Sequence, residues 1–280
     1  MGALAANRPR SAARCALVVG AGRSGTTWFA SLLADGRTAT VFEPMRAERV
    51  PAARAAGLDD RSTFLGPNLS APAVDLLLDA LRARVITGWT MRETTPRQLV
   101  TSRSIVVKEI RIVRQLPTVV PALVRRGFTR VVLIVRDPVA VVESQIAFNG
   151  AASALSTWEV DPAADLVTHD LLEAHPHLEH VAAGVDRTRP HELLAAKWGI
   201  DHAVALGGDG YAVVGYDRVR RAPVAEVTAL LDTWGWPTPK GLLEAASVSS
   251  SVTRRRAPGA LDDTQRRRVR EIAEACGAVW

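Results

Sequence analysis

Lysine is nearly missing from this chain of 280 residues, occurring only as Lys108, Lys197 and Lys240. Arginine therefore carries almost all of the positive charge, with a net charge of +6 and a pI near 10.1. That balance suits polyanionic ligands, small phosphorylated molecules and nucleic acid alike. In an alanine-rich chain it is also what a compositional bias toward arginine leaves on the surface. Cysteine is scarce too: Cys15 falls in an expected core strand and Cys276 in the last expected helix. No disulfide framework follows from such a pair, and a reducing compartment is expected. No apolar run approaches the roughly eighteen residues that a membrane span needs. Residues 1–14 are basic and Ala-rich, but Arg8, Pro9 and Arg10 interrupt them before a signal-type apolar region forms. Ala6 stands where a myristoylation signal needs Ser or Thr. A flexible N-terminal arm over 1–14, on a cytoplasmic protein without a membrane partner, is the expectation.

Metal-binding patterns are absent as well. His169, His175, His177 and His180 cluster in sequence, but Pro176 breaks helical spacing and neither cysteine nor an HExxH pattern assists. With 48% apolar residues, the chain can bury one large core, and a single α/β domain over 15–280 is predicted.

The most informative stretch is Val18 to Trp28. An apolar run from Cys15 to Val19 ends in a Gly-rich turn, and Thr26 opens a segment whose Phe29, Leu32 and Leu33 recur at helical spacing. Strand, tight loop and helix in that order bring backbone N–H groups toward one point, the usual way to hold a phosphate-like anion. Arg23 adds a cation inside the loop, and Ser24, Thr26 and Thr27 add hydroxyl donors. The spacing from Gly20 to Gly25 imitates a nucleotide P-loop, but Thr26 occupies the place of the Walker lysine. An ordinary ATPase or GTPase is thereby disfavoured.

Arg23-Ser24-Gly25-Thr26-Thr27-Trp28 after a buried strand resembles the 5′-phosphosulfate loop of the sulfotransferases that use PAPS, 3′-phosphoadenosine-5′-phosphosulfate. The resemblance implies a P-loop-like fold with a central parallel sheet flanked by helices. It also implies a nucleotide site formed by Arg23, Ser24, Gly25, Thr26 and Thr27, with Trp28 as a stacking platform for adenine.

Further along the chain, Thr38 to Phe42 reads as a second strand ending at Glu43-Pro44. Ligands of parallel α/β sheets bind beyond the carboxyl ends of the strands, so Glu43 is expected near the loop. Phe42-Glu43-Pro44 resembles the corresponding stretch of carbohydrate sulfotransferases. Residues 46–69 read as loop with one short helix, and Ser70 caps an amphipathic helix running to about Arg84. Trp89 and Arg92 are candidates to shape an acceptor site, with core packing the competing role for Trp89.

Ile105 to Lys108 is a strand ending in a cation, followed by Glu109. In the cytosolic sulfotransferases the matching stretch carries a histidine base two residues after the lysine. Here that place is Ile110, so a base must come from elsewhere. Glu43 is the candidate, ahead of Glu109, whose neighbour Lys108 lowers its basicity.

Val131 to Val135 is the most apolar run, and Asp137 caps a helix that Pro138 opens. Arg136 with Ser144 eight residues on resembles the family's 3′-phosphate site. Residues 149–189 are long for a connection and read as a partly helical acceptor lid. Helices are further expected from Pro190 toward Leu206, over Ala222 to Trp234, and from Asp262 to Cys276, with a strand over Tyr211 to Tyr216. Tyr216 at the end of that strand resembles the family's nucleotide-holding tyrosine, though Asp217 replaces the usual Glu. A basic loop with Arg254, Arg255 and Arg256 stands where the family returns to the 3′-phosphate.

The implied activity is sulfuryl transfer from PAPS to a hydroxyl of a carbohydrate or glycosylated metabolite. Catalytic residues Glu43, Arg23 and Lys108 are expected, with no metal requirement and no nucleic-acid partner. Two other readings are a P-loop kinase-like phosphotransferase and an Arg-rich nucleic-acid-binding protein. Thr26 opposes the first, and the lack of aromatics interleaved with the basic residues opposes the second.

Overall fold

A computed structural model describes residues 14–59, 66–149, 166–247 and 261–278. The fold is α/β, with a five-stranded, all-parallel sheet in the order β2-β3-β1-β4-β5 and helices on both faces. The strands are β1 Cys15–Val19, β2 Thr38–Phe42, β3 Ser104–Glu109, β4 Val131–Val135 and β5 Ala212–Gly215. β1, β2 and β4 are buried at every residue, as apolar or small side chains in a sheet covered on both sides should be.

Side-chain alternation splits the core into two layers. Leu17, Val19, Val107, Leu133 and Val135 join one cluster, with residues of α3 (Ala71–Leu81) and α5 (Leu116–Val124). Ala16, Val18, Val106, Val132 and Ile134 join the other, with α1 (Thr26–Leu32), α10 (Tyr216–Arg221) and α11 (Pro223–Thr233). A third cluster contains no strand residue and unites α6 (Pro138–Asn149), α7 (His169–Ala174), α8 (His177–Ala183), α9 (Pro190–Leu206) and α13 (Asp263–Ala275) with Leu166, Val185 and Leu261 of the connections.

The expected helix starts are where the caps were placed. Ser70 accepts from the Ala73 amide, Asp137 from Ala140, and Asp262 forms a reciprocal capping box with Gln265. Boundaries shift at two points. The helix after Ser70 ends at Leu81, where Ala83 turns with φ 50°, and Tyr216 belongs to α10 rather than closing β5. Among the helices not foreseen are α10, α5, which contains Pro121, and α4 (Pro96–Thr101), which Thr95 and Gln98 open with a capping box. The remaining elements are α2 (Pro51–Ala55) and α12 (Leu242–Ser247).

Within the stretch expected to be a lid, residues 166–189 hold α7 and α8, whose Leu171, Leu178 and Val181 are buried in the helical cluster. Residues 150–165 of that stretch lie outside the described residues, as do residues 1–13 of the arm and Arg254, Arg255 and Arg256. Among the described residues no helix is long and apolar enough to cross a membrane.

Candidate functional site

Every strand delivers a candidate residue at its carboxyl end. β1 runs into the Gly20–Gly25 loop, β2 into Glu43, β3 into Lys108 and Glu109, β4 into Arg136 and β5 into Tyr216. Register puts these ends side by side: Val19 pairs with Glu109, Phe42 with Lys108, and Val135 with Gly215. β1 lies between β3 and β4: the β1–β2 connection runs to one side of it and β3–β4 crosses to the other, the reversal of strand order beyond whose carboxyl ends ligands of such sheets bind.

The loop is built to approach its surroundings closely. A Cβ on Gly20 would sit 2.7 Å from the Ile134 carbonyl oxygen, and one on Gly25 would sit 2.3 Å from the Tyr216 ring. Gly25 also has φ +88°, which side chains disfavour. Arg23 adopts the left-handed region at φ 75°, a conformation that costs a non-glycine residue about 1–3 kcal/mol and persists where contacts enforce it. Those contacts are present. Arg23 Nε donates to Ser144 Oγ at 3.1 Å, Arg136 donates to the Arg23 carbonyl at 2.8 Å, and Gln145 donates to the Gly22 carbonyl at 3.1 Å. The two motifs widely separated in sequence, Arg23-Ser24-Gly25 and Arg136 with Ser144, therefore meet.

Ser24 is fully buried, and its hydroxyl has no hydrogen-bond partner among the described residues. A buried, unsatisfied hydroxyl costs about 1–3 kcal/mol, which an anion in the loop would recover. Thr26 is buried with it, whereas the Thr27 side chain is exposed. Trp28 meets Tyr216 edge to face at 5.6 Å, and the Arg136 guanidinium lies 4.7 Å from the Tyr216 ring centre. An aromatic and cationic wall thus stands beside the loop.

On the other side, Glu43 is buried in a cationic nest at φ 42°, also in the left-handed region. Its carboxylate accepts from Lys108 and, at 3.1 Å, from Arg111, with Arg46 at 3.9 Å. Burial alone would raise the Glu43 pKa, but Lys108 and Arg111 outweigh it and hold the carboxyl below its ordinary range. Burial likewise pulls the Lys108 pKa down, and Glu43 and Glu109 offset only part of that. Glu109, the lower-ranked base candidate, is fully buried and accepts from the amides of Met45, Ile110 and Arg111. It organises the backbone beneath Glu43.

Arg111, Arg46 and Gln145 reach this edge without having been singled out from sequence. Gln145 adjoins Ser144, a signal that helical spacing supplied; Arg111 and Arg46 sit in irregular segments where no periodicity points to a partner. A second buried ionic cluster, Arg114 with Asp201 at 2.8 Å and Lys197 with the same carboxylate, joins the loop after β3 to α9. Among the described residues no group of three or more His, Cys, Asp or Glu is gathered for a metal ion. A hollow of about 560 Å³ beside the starts of α9 and α13 contains none of the candidate residues.

No protein-family model matches this chain, and no curated protein does. Among solved structures, it is similar to the "Sulfotransferase Domain from the Curacin Biosynthetic Pathway" at 15% identity and a TM-score of 0.43, covering 93% of this chain and 97% of that one.

Proposed function

We propose that this chain is a PAPS-dependent sulfotransferase, transferring a sulfuryl group to a hydroxyl of a carbohydrate or glycosylated small molecule. The observation that carries the reading is the meeting of Arg23, Ser144 and Arg136 on the loop after β1. It joins two anion-type motifs at one crevice, as a nucleotide with phosphate groups at both its 5′ and 3′ ends requires. The residues fit such a ligand: the Ser24 hydroxyl awaits an acceptor, Gly25 lets the Tyr216 ring close against the loop, and Trp28 with Tyr216 offers an aromatic wall.

In this reading Arg23, Ser24, Gly25, Thr26 and Thr27 hold the 5′ end, Arg136 and Ser144 the 3′-phosphate, and Trp28 and Tyr216 the adenine. Arg254 and Arg255 are proposed for the 3′-phosphate from sequence alone. Bound PAPS supplies the sulfuryl group and a phosphate leaving group. The protein contributes position and fixed charge, which carry most of the catalysis in the related phosphoryl transfers.

Arg23, the loop N–H groups and Lys108 stabilise negative charge where it develops. Glu43 takes the proton of the acceptor hydroxyl. A base works best with a pKa near the working pH. Lys108 turning from the carboxylate toward an oxyanion at the loop returns basicity to Glu43. The test is incubation with sulfur-labelled PAPS and candidate acceptor extracts, followed by identification of the labelled product. Label on a neutral or acidic glycoside is expected; release of label as free sulfate alone, or none, contradicts the reading.

A further inference from the structure

Next to Glu43 and Lys108 lies a group of side chains that the transfer chemistry does not use. The Lys108 ammonium is 4.4 Å from the Phe42 ring centre, and Phe42 meets Trp89 edge to face at 5.3 Å. Around Trp89 stand the guanidiniums of Arg46 at 4.7 Å, Arg92 at 4.7 Å and Arg49 at 5.9 Å from the ring centre. Arg92 also covers Phe42 at 4.9 Å.

Three like charges on one indole repel one another, and the ring's quadrupole compensates each only weakly. Nearby carboxylates are already committed. Glu43 is shared between Lys108 and Arg111, Glu48 pairs with Arg46 at 3.1 Å, and Glu93 pairs with its neighbour Arg92 at 3.5 Å. Among the described residues Arg49 meets no carboxylate within ion-pair distance. Arg49 and Arg92 are both exposed, so a ligand can reach them.

We propose that Arg46, Arg49 and Arg92, gathered on Trp89 beside the Glu43–Lys108 pair, form an oxyanion subsite that selects an acceptor bearing a negatively charged substituent near the reacting hydroxyl. The inference rests on the sulfotransferase reading for the word acceptor, but the anion site itself stands on these contacts. A carboxylate, phosphate or sulfate ester satisfies the shared chemistry, and guanidinium forks favour all of them.

The experiment observes the indole N–H resonance of Trp89 in nitrogen-15-labelled protein saturated with PAP, the desulfated nucleotide, the signal being identified by its loss in Trp89→Phe. Acetate, methyl phosphate and methyl sulfate are the anionic probes, and methyl glucoside is the neutral control. At least one anion should shift the resonance saturably, the control should not, and the best anion names the preferred oxyanion. In the double variant Arg49→Gln/Arg92→Gln the dissociation constant for that anion should rise at least about tenfold, with PAP affinity within about twofold of the parent. No response to any of the anions, an equal response to methyl glucoside, or an unchanged constant in the double variant overturns the proposal. Failure to bind PAP would strike the sulfotransferase reading instead. The anion titration, repeated without nucleotide, would still decide the subsite because it is read at Trp89.

Discussion

Glu43 shows how much one side chain carries here. Its charge balances Lys108 and Arg111 inside the protein, so neutralising it takes from Lys108 its buried carboxylate acceptor, while Arg111 keeps Glu109 at 3.5 Å. Breaking a buried pair in this way costs about 3–5 kcal/mol. Glu43→Gln is therefore expected to lower the melting temperature as well as to remove most turnover, while PAP binding on the loop side stays nearly intact. Glu43→Asp separates the two effects, since it restores charge but withdraws the carboxylate from the acceptor: stability should recover further than turnover. Wild-type turnover in Glu43→Gln would end its assignment as the base. His202 makes a second residue-scale prediction. It is buried and stacked on Trp198, and its Nδ1 lies 2.7 Å from the Trp198 carbonyl oxygen. Burial pushes its pKa down to about 4. The unfolded chain, with an imidazole near 6.5, binds the proton first as pH falls. Stability is thus full above about pH 6.5 and is lost toward pH 4, by about 3 kcal/mol from this group. Urea denaturation across that range checks it, and His202→Gln should flatten the decline by close to one proton; an unchanged slope would contradict the assignment.

At the scale of elements, the strand–loop–helix unit β1–α1 is the one whose geometry is least replaceable. Gly25→Ala would drive a methyl into the Tyr216 ring and force φ +88° on a side chain. PAP affinity should fall by at least about tenfold, with a stability loss of about 2 kcal/mol, because the loop or Tyr216 must move. Wild-type affinity, measured by calorimetry, would show that the loop does not hold the nucleotide. This unit was legible in the sequence because its signals are local: a continuous apolar run, glycines where backbone approaches backbone, then helical spacing from Phe29. The same holds for β4 with its Asp137 cap. Legibility ended where tertiary contact decides. α5 carries Pro121 in its interior, against helix propensity, yet its Leu116, Val119, Val120 and Leu123 are all buried. Arg111 joins Glu43 across 68 positions of sequence, and Arg114 joins Asp201 across 87; no spacing rule reports such pairs.

For the whole molecule, the parallel sheet is what turns scattered residues into a site. Because all five strands point one way, their carboxyl ends collect the loop, Glu43, Lys108, Arg136 and Tyr216 along one edge, although these are drawn from positions between Gly20 and Tyr216. The surplus of arginine then has a local reading: Arg23 and Arg136 on the donor side, Arg46, Arg49 and Arg92 on the other. The central claim is that this edge holds a nucleotide phosphorylated at its 3′ and 5′ positions. Isothermal titration calorimetry with PAP, and separately with ATP and magnesium, tests it most directly. PAP should bind saturably at one site, Arg23→Ala and Arg136→Ala should each weaken it at least about tenfold, and ATP with magnesium should bind far less tightly. Tight binding of ATP with magnesium and none of PAP would contradict the account.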